Sequence, residues 1–308
     1  MIDLTAHILA AAPDLDAVFR AGVDAALAGI RPRADYRVMA TVRARHGFAE
    51  REAPLLSFDN IKLLGASVPS YGLTLFHHRS KLAATADAPA LSLNACPWAG
   101  HCTRVCVLNN GHGRWDSTKR AWRWRTDLLA RHPHSFARIL AWELVRGVAK
   151  HGGAILFRPN VNSDALWHLL LPSLCNGYVA GVTSYGYSKW AGVLESDGWL
   201  GSHYRVSFSW NERDDADPTA VAAFLARGGS VAVVTARRKR APILSLGDLP
   251  FAASIVVDAD KSDEWMFARG TVGDLSAKGQ ARKLIGKSAF VVGAPAPAPV
   301  KVTLRRAA

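Results

Sequence analysis

Strand-like and helical segments alternate through the second half of this chain. That order predicts an α/β fold, a partial or complete β/α barrel with parallel strands preceded by a helical N-terminal extension. Three observations lead there. From residue 154 onward, short apolar runs bounded by turn residues alternate with segments of helical spacing. The runs at 154–157, 178–183, 204–210, 230–235 and 254–258 are apolar along most of their length, as parallel strands buried on both faces are. At 308 residues, 49% of them hydrophobic, the chain can bury one large core or two modest ones.

In chain order, the N-terminal extension spans 1–60. Its segment 14–29 carries Leu15, Val18, Phe19, Val23 and Leu27 at helical spacing, with Gly29 as a stop signal. A basic stretch through Arg31, Arg33, Arg37, Arg43, Arg45 and Arg51 follows and reads as an irregular arm or covering segment. The core, 61–292, opens with strand-like runs at 71–76 and 90–93. Helices are expected at 117–131 and 135–150, with Ser117 and Ser135 as N-caps and Pro133 breaking the chain between them. Further helices at 164–174, 188–194 and 218–226 separate the later strands. The Pro/Ala-rich tail, 293–308, reads as extended and flexible.

In such a barrel the working residues sit at the carboxyl ends of the strands. The candidates there are Arg158, Asn160, Asn162 and Asp164, then Thr183, Tyr185 and Tyr187, followed closely by Lys189. Ser209, Trp210, Asn211, Glu212, Thr235, Asp258 and Asp260 complete the set. Asp164, Tyr187 and Lys189 are the expected catalytic residues. Asn162, Asp258 and Asp260 are expected to bind a cofactor, the two aspartates by holding a ribose or a ligand amine, with a helix N-terminus as the other use for such a pair.

Three of the four cysteines, Cys96, Cys102 and Cys106, fall within eleven residues. The amino terminus lacks a basic n-region and no apolar run approaches a membrane span, so a cytoplasmic protein without a membrane partner is expected. In a reducing compartment clustered cysteines read as a metal centre. Three thiolates suit a 4Fe–4S cluster with one iron left open. A structural zinc needs a fourth ligand, which His101, His112 or Cys175 would supply. The C-x5-C-x3-C spacing matches neither paired zinc-ribbon cysteines nor a ferredoxin run, so both metals stay open. Cys175 follows a helical apolar pattern and reads as core.

The net charge of +13 favours a polyanionic partner, and nucleic acid is the one expected. Arg114 opens a segment in which Arg120, Arg123 and Arg125 alternate with tryptophans, the combination that phosphate contact and base stacking need. On a helix, Arg120, Arg123, Asp127 and Arg131 would share a solvated face opposite Ala121, Trp124 and Leu128. The run Arg237, Arg238, Lys239, Arg240 follows a strand end, where it would clamp phosphates or form a solvated loop. Neither a P-loop, a proper G-x-G-x-x-G nor a G-x-S-x-G elbow occurs, which argues against a nucleotide triphosphatase, a dinucleotide enzyme and a serine hydrolase. The stretch 258–263 resembles the opening of a calcium loop but lacks its glycine and closing glutamate.

These residues carry a resemblance. Cys96-Pro-Trp-Ala-Gly-His-Cys102-Thr-Arg-Val-Cys106, followed by 109–115, is similar to a three-cysteine stretch and Gly-Arg turn of the phage gene product 88 family. Tyr187-Ser-Lys189, the segment 257–263 and Ser276-Ala-Lys-Gly-Gln-Ala-Arg282 resemble later segments of that family, so the likeness runs in order over about 90–292. It implies a phage or mobile-element origin, a host-cell cytoplasmic location and, as one further reading, a host-protein partner. The family itself looks like a distant relative of radical S-adenosylmethionine enzymes. That likeness implies that Cys96, Cys102 and Cys106 bind the cluster and that the open iron takes S-adenosylmethionine. Val107 stands where members carry a tyrosine, and in 158–164 only Asp164 matches the family's acidic strand end. The reading is a phage-type iron–sulfur protein with a radical-S-adenosylmethionine-like core, acting on or beside nucleic acid. The alternative is a non-enzymatic nucleic-acid-binding protein with a structural zinc.

Overall fold

The computed structural model describes residues 1–58, 68–106, 111–211, 217–237, 245, 249–288 and 290–293. The chain enters through β1 (Ile2–Asp3) and the helices α1 (Leu4–Ala11), α2 (Leu15–Leu27) and α3 (Arg33–Arg45). Asp3 caps α1 by accepting the Ala6 amide. The basic stretch expected to be irregular is therefore helical in α3. Its arginines mask an apolar stripe, Tyr36, Met39, Ala40 and Val42, which is buried.

Next come β2 (Ser70–Gly72), β3 (Ser80–Leu82), β4 (Leu91–Asn94), α4 (Asp116–Arg131) and α5 (Pro133–Lys150). Ser117 and Ser135 do not cap these helices, which begin at Asp116 and Pro133. Pro133 opens α5 instead of merely separating it, because a first-turn residue has no use for the missing N–H.

The alternating half contains β5 (Ile155–Arg158), α6 (Trp167–Leu170), α7 (Pro172–Cys175), β6 (Val182–Ser188), β7 (Tyr204–Ser209) and α8 (Pro218–Ala226). It ends with β8 (Val231–Thr235), β9 (Ile255–Asp258), β10 (Thr271–Ser276) and β11 (Val291–Val292). Pro172 divides the helix expected at 164–174, and the one expected at 188–194 is a 3-10 turn, Ala191–Glu195. The strand expected at 178–183 starts at Val182 because Gly177 and Gly181 hold a turn at φ +80° and +82°.

Eight strands form one parallel sheet in the order β2-β5-β6-β7-β8-β10-β9, with β11 also paired to β8. On one edge of β8, β7 pairs with Val231 and Ala232, whereas β11 pairs with Val234 and Thr235. A smaller sheet, β1-β4-β3, lies apart. In a flat sheet β5 and β9 would stand about 24 Å apart, at roughly 4.8 Å per strand. Yet Arg158 at the end of β5 lies 2.6 Å from Asp263, five residues beyond β9. The sheet is curled as a partial β/α barrel. Its interior is filled by the 3-10 turn Glu264–Phe267, whose Met266 and Trp265 pack on Tyr185 and Tyr187 of β6.

One hydrophobic cluster joins Leu4, Ile8, Phe19 and Met39 of the first helices to Leu144, Phe157, Val206 and Val231. Residues 1–58 thus form a covering layer on the barrel. No helix among the described residues is long and apolar enough to cross a membrane. Glu212, Arg238, Lys239, Arg240 and the tail from 294 lie outside the described residues.

Candidate metal centre

The cysteine loop leaves β4 at Asn94, whose side chain accepts the Cys96 amide at 2.9 Å. Asp164 donates its amide to Ala95 at 2.7 Å, which ties the end of the β5 unit to the loop. Beyond Cys96 the chain turns through a 3-10 segment, Gly100–Val105. Cys102 and Val105 pack on Ala277, Ala281, Phe290 and Val291, and His101 Nδ1 lies 2.6 Å from Ser288 Oγ. Cys106 packs between Phe76 and Trp122.

These contacts bring Cys96, Cys102 and Cys106 to one cavity of about 170 Å³, at the C-terminal ends of β5, β6 and β7. Asn162, Asp164, Tyr187 and Lys189 line the same cavity, as do Arg158, Asn160 and Ser209. The sequence reading missed His77 and His78, which also line it. Their signal was position, directly after the strand-like run that ends at Phe76.

The polar groups divide into two sets. Asn160 is fully occupied: its Oδ1 takes Ser163, Ala165 and Trp167, and its Nδ2 donates to Ala165. Tyr187 donates to Asp263 at 2.7 Å under the Arg158 guanidinium, so both shape the wall. Lys189 donates its backbone N–H to Asp164 Oδ2 at 2.9 Å and its Nζ to Ser209 at 2.6 Å. By contrast, five buried atoms have no hydrogen-bond partner: His77 Nδ1, His78 Nδ1, both amide atoms of Asn162, and Asp164 Oδ1. Native interiors leave few such atoms, and a group of them around one void marks a place for a ligand.

Burial pushes the Cys96 thiol well above the usual range, reinforced by Asp164 and by the two other thiols, while Lys189 pulls it down. Burial also raises Asp164, against the hydrogen bonds from Ser188 and from the Lys189 backbone. His77 is pushed down to about 3 by burial and by His78. A bare thiolate is thus disfavoured here, and a bound cation would reverse that balance.

The family model described as Gene product 88 matches residues 54–292. The chain belongs to the gene product 88 family. No curated protein and no solved structure matches the chain. The matched region of this gene product 88 protein contains the whole cysteine cavity together with α4 and α5.

Other candidates lie elsewhere. Asp258 and Asp260 do not line the cavity. They surround Arg237, at 2.9 and 3.2 Å, with the fully buried Asp274 at 3.0 Å on its Nε. Ser276 and Lys278 also bind Asp260, so these carboxylates offset the Arg237 charge, although its Nε faces Asp274 without a hydrogen bond. Arg125 is half-buried, donates to the Leu55 and Ala121 carbonyls, and is pushed down to about 10 by burial. Arg114 and Arg120 are exposed, and Arg123 lies 4.6 Å over the Phe76 ring. Asp127 and Arg131 do not share their solvated face. They are buried against each other at 3.0 Å, because His46 and the carbonyls of Ala83 and Pro89 cover that side of α4. Cys175 lies in the main core, and His112 stacks on Trp115.

Proposed function

We propose that this gene product 88 protein carries a 4Fe–4S cluster on Cys96, Cys102 and Cys106 and acts on or beside nucleic acid. One observation carries the cluster reading. The residues that line a single cavity at the strand ends carry three thiols and five buried polar atoms without a hydrogen-bond partner. Each such atom costs about 1–3 kcal/mol if left unpaired, so their concentration favours an occupied site. When bound, a cluster held by three cysteines offers one iron to a further ligand.

The chain's own groups would hold that ligand. Asp164 presents Oδ1 as an acceptor, Asn162 presents a donor and an acceptor, and Lys189 brings a cation steadied by Ser209. Such groups complement a zwitterionic amino-acid head, and with the likeness to radical enzymes they make S-adenosylmethionine the first ligand to titrate. The nucleic-acid half of the reading rests on the net charge of +13.

A second reading, a structural zinc in a non-enzymatic nucleic-acid-binding protein, is favoured by His77 and His78, whose unpartnered nitrogens are zinc ligand types. Among the described residues, however, no three His, Cys, Asp or Glu side chains, the three thiols included, group closely enough to hold one ion. A zinc would therefore require the loop to tighten, whereas a cluster spreads its thiolates over separate irons.

Metal and sulfide analysis of protein purified without oxygen decides between them. The cluster predicts about four irons and four sulfides per chain with broad absorbance near ~400 nm, all lost in Cys96→Ser. One zinc without sulfide selects the second reading. Neither metal overturns both.

A further inference from the structure

A second concavity, of about 820 Å³, lies between α3, α4, α5 and the segment at 52–58. It shares no lining residue with the cysteine cavity. A smaller one of about 510 Å³, lined by Arg33 and Arg37 of α3, shares Arg31 and Glu52 with it. Together they form a basic groove.

Its cations are placed against rings. Arg31 stands 4.9 Å over Tyr36, Arg43 5.5 Å over Phe48, Arg146 5.8 Å over Trp142, and Lys150 5.6 Å over Phe58. Trp142, Arg146 and Lys150 recur every four residues and so share one face of α5. Trp142 and Phe58 are half-buried, whereas Arg146 and Lys150 are exposed. The one deep carboxylate, Glu143, faces inward and accepts Tyr36, Leu55 and Leu56, so donors already enclose its charge.

Arg43 supplies the independent sign of a ligand. It is 7% exposed and lines the groove; its Nη1 donates to the Arg51 carbonyl, yet its Nε has no hydrogen-bond partner. A buried guanidinium donor left unpaired is costly, and an anion in the groove would satisfy it.

Cations alone would suit any polyanion. Rings beside each cation add a surface on which unpaired bases stack, while the cations meet the backbone between them. A duplex hides its base faces and has no use for such a wall. We infer that this groove binds a single-stranded nucleic acid, its phosphates on Arg43, Arg146 and Lys150 and its bases against Trp142 and Phe58. The inference rests on the reading that nucleic acid is the partner, is independent of the cluster, and moves the contact from the outward row of α4 to this groove.

Fluorescence anisotropy with a labelled single-stranded 12-mer and the matching duplex tests it on the full chain. Wild type is expected to bind the single strand more tightly than the duplex. Arg146→Glu/Lys150→Glu, two exposed sites, should weaken binding at least about tenfold and lower the salt slope by ~1.4, at ~0.7 per phosphate contact. Trp142→Ala should weaken it about fivefold or more with the slope unchanged, folding being checked by circular dichroism. Arg114→Glu/Arg123→Glu serves as the charge-matched control.

If that control loses binding while the groove variant keeps it, the groove is wrong and the nucleic-acid reading survives. Wild type that binds neither nucleic acid at low salt ends both. A polyglutamate peptide that binds as tightly as the single strand overturns nucleic acid as occupant, and preference for the duplex overturns the stacking.

Discussion

Asp263 ties two wall residues together, taking Arg158 at 2.6 Å and Tyr187 at 2.7 Å in a site where its side chain is 4% exposed. Removing one member of a buried pair strands the other charge. Asp263→Ala should therefore cost about 3–5 kcal/mol in urea unfolding, and Arg158→Met added to it should restore part of the loss. His77 provides a pH prediction. Its folded value of about 3 lies below the ordinary 6.5, so between those limits the unfolded chain binds the proton and the native chain does not. Stability is then lost as pH falls through that window. At pH 5 the loss from this one group is about 2 kcal/mol, and His77→Gln should lessen the difference between pH 5 and pH 7.5 by that amount. At this scale residue types were legible, while their hydrogen bonds were not. Asn160 and Asn162 look equivalent in the chain, yet one is saturated and the other has both amide atoms unpaired. Only tertiary placement distinguishes them.

Short elements carry the geometry of the cysteine loop. It rests on the 3-10 turn Gly279–Leu284 and on β11 through Ala281, Phe290 and Val291, residues far from it in sequence. The entry to β6 depends on Gly181. At φ +82°, an added Cβ there would meet the Gly153 carbonyl oxygen at 2.1 Å. Gly181→Ala should therefore destabilise the protein by about 3 kcal/mol, read as a lower urea midpoint with an unchanged slope. Of the strands that the sequence pattern recovered, β5, β8 and β9 are mostly apolar runs with clear breaks, and β7 alternates apolar and polar residues. β10 escaped because Gly273 and Asp274 interrupt it, and Asp274 is fully buried against Thr235 and Arg237. α3 escaped because charge outweighed its apolar stripe.

Across the whole molecule, the main hydrophobic cluster runs from α1 to β8 and includes Ala95 and Ala165 beside the cysteine cavity, so an event there is expected to register in global stability. A group that binds only the folded chain stabilises it by mass action, about 2.7 kcal/mol at a hundredfold excess over Kd. In differential scanning calorimetry, Cys96→Ser/Cys102→Ser/Cys106→Ser should melt at least about 5 °C below the iron-loaded wild type, and a chelator should leave its Tm unmoved. An equal Tm for both would remove the cysteines from the stability of the fold. The α/β class and the gathering of Cys96, Cys102, Cys106, Asp164 and Lys189 were legible in the chain, because parallel strands direct their carboxyl ends to one rim. The groove beside α5 was not, since it joins α3 to a helix about a hundred residues later. The split edge of β8 has a consequence for biosynthesis. Residues 290–292 leave the ribosome after every other strand of the sheet, and Phe290 lies 5.7 Å from the Lys189 ammonium. Until they emerge, β8 has no partner at Val234 and Thr235 on the edge that β11 takes, in the cluster that also holds Cys102. A chain that stops before β11 should therefore expose Cys102, which packs on Phe290 and Val291, to a thiol reagent faster than the full chain does.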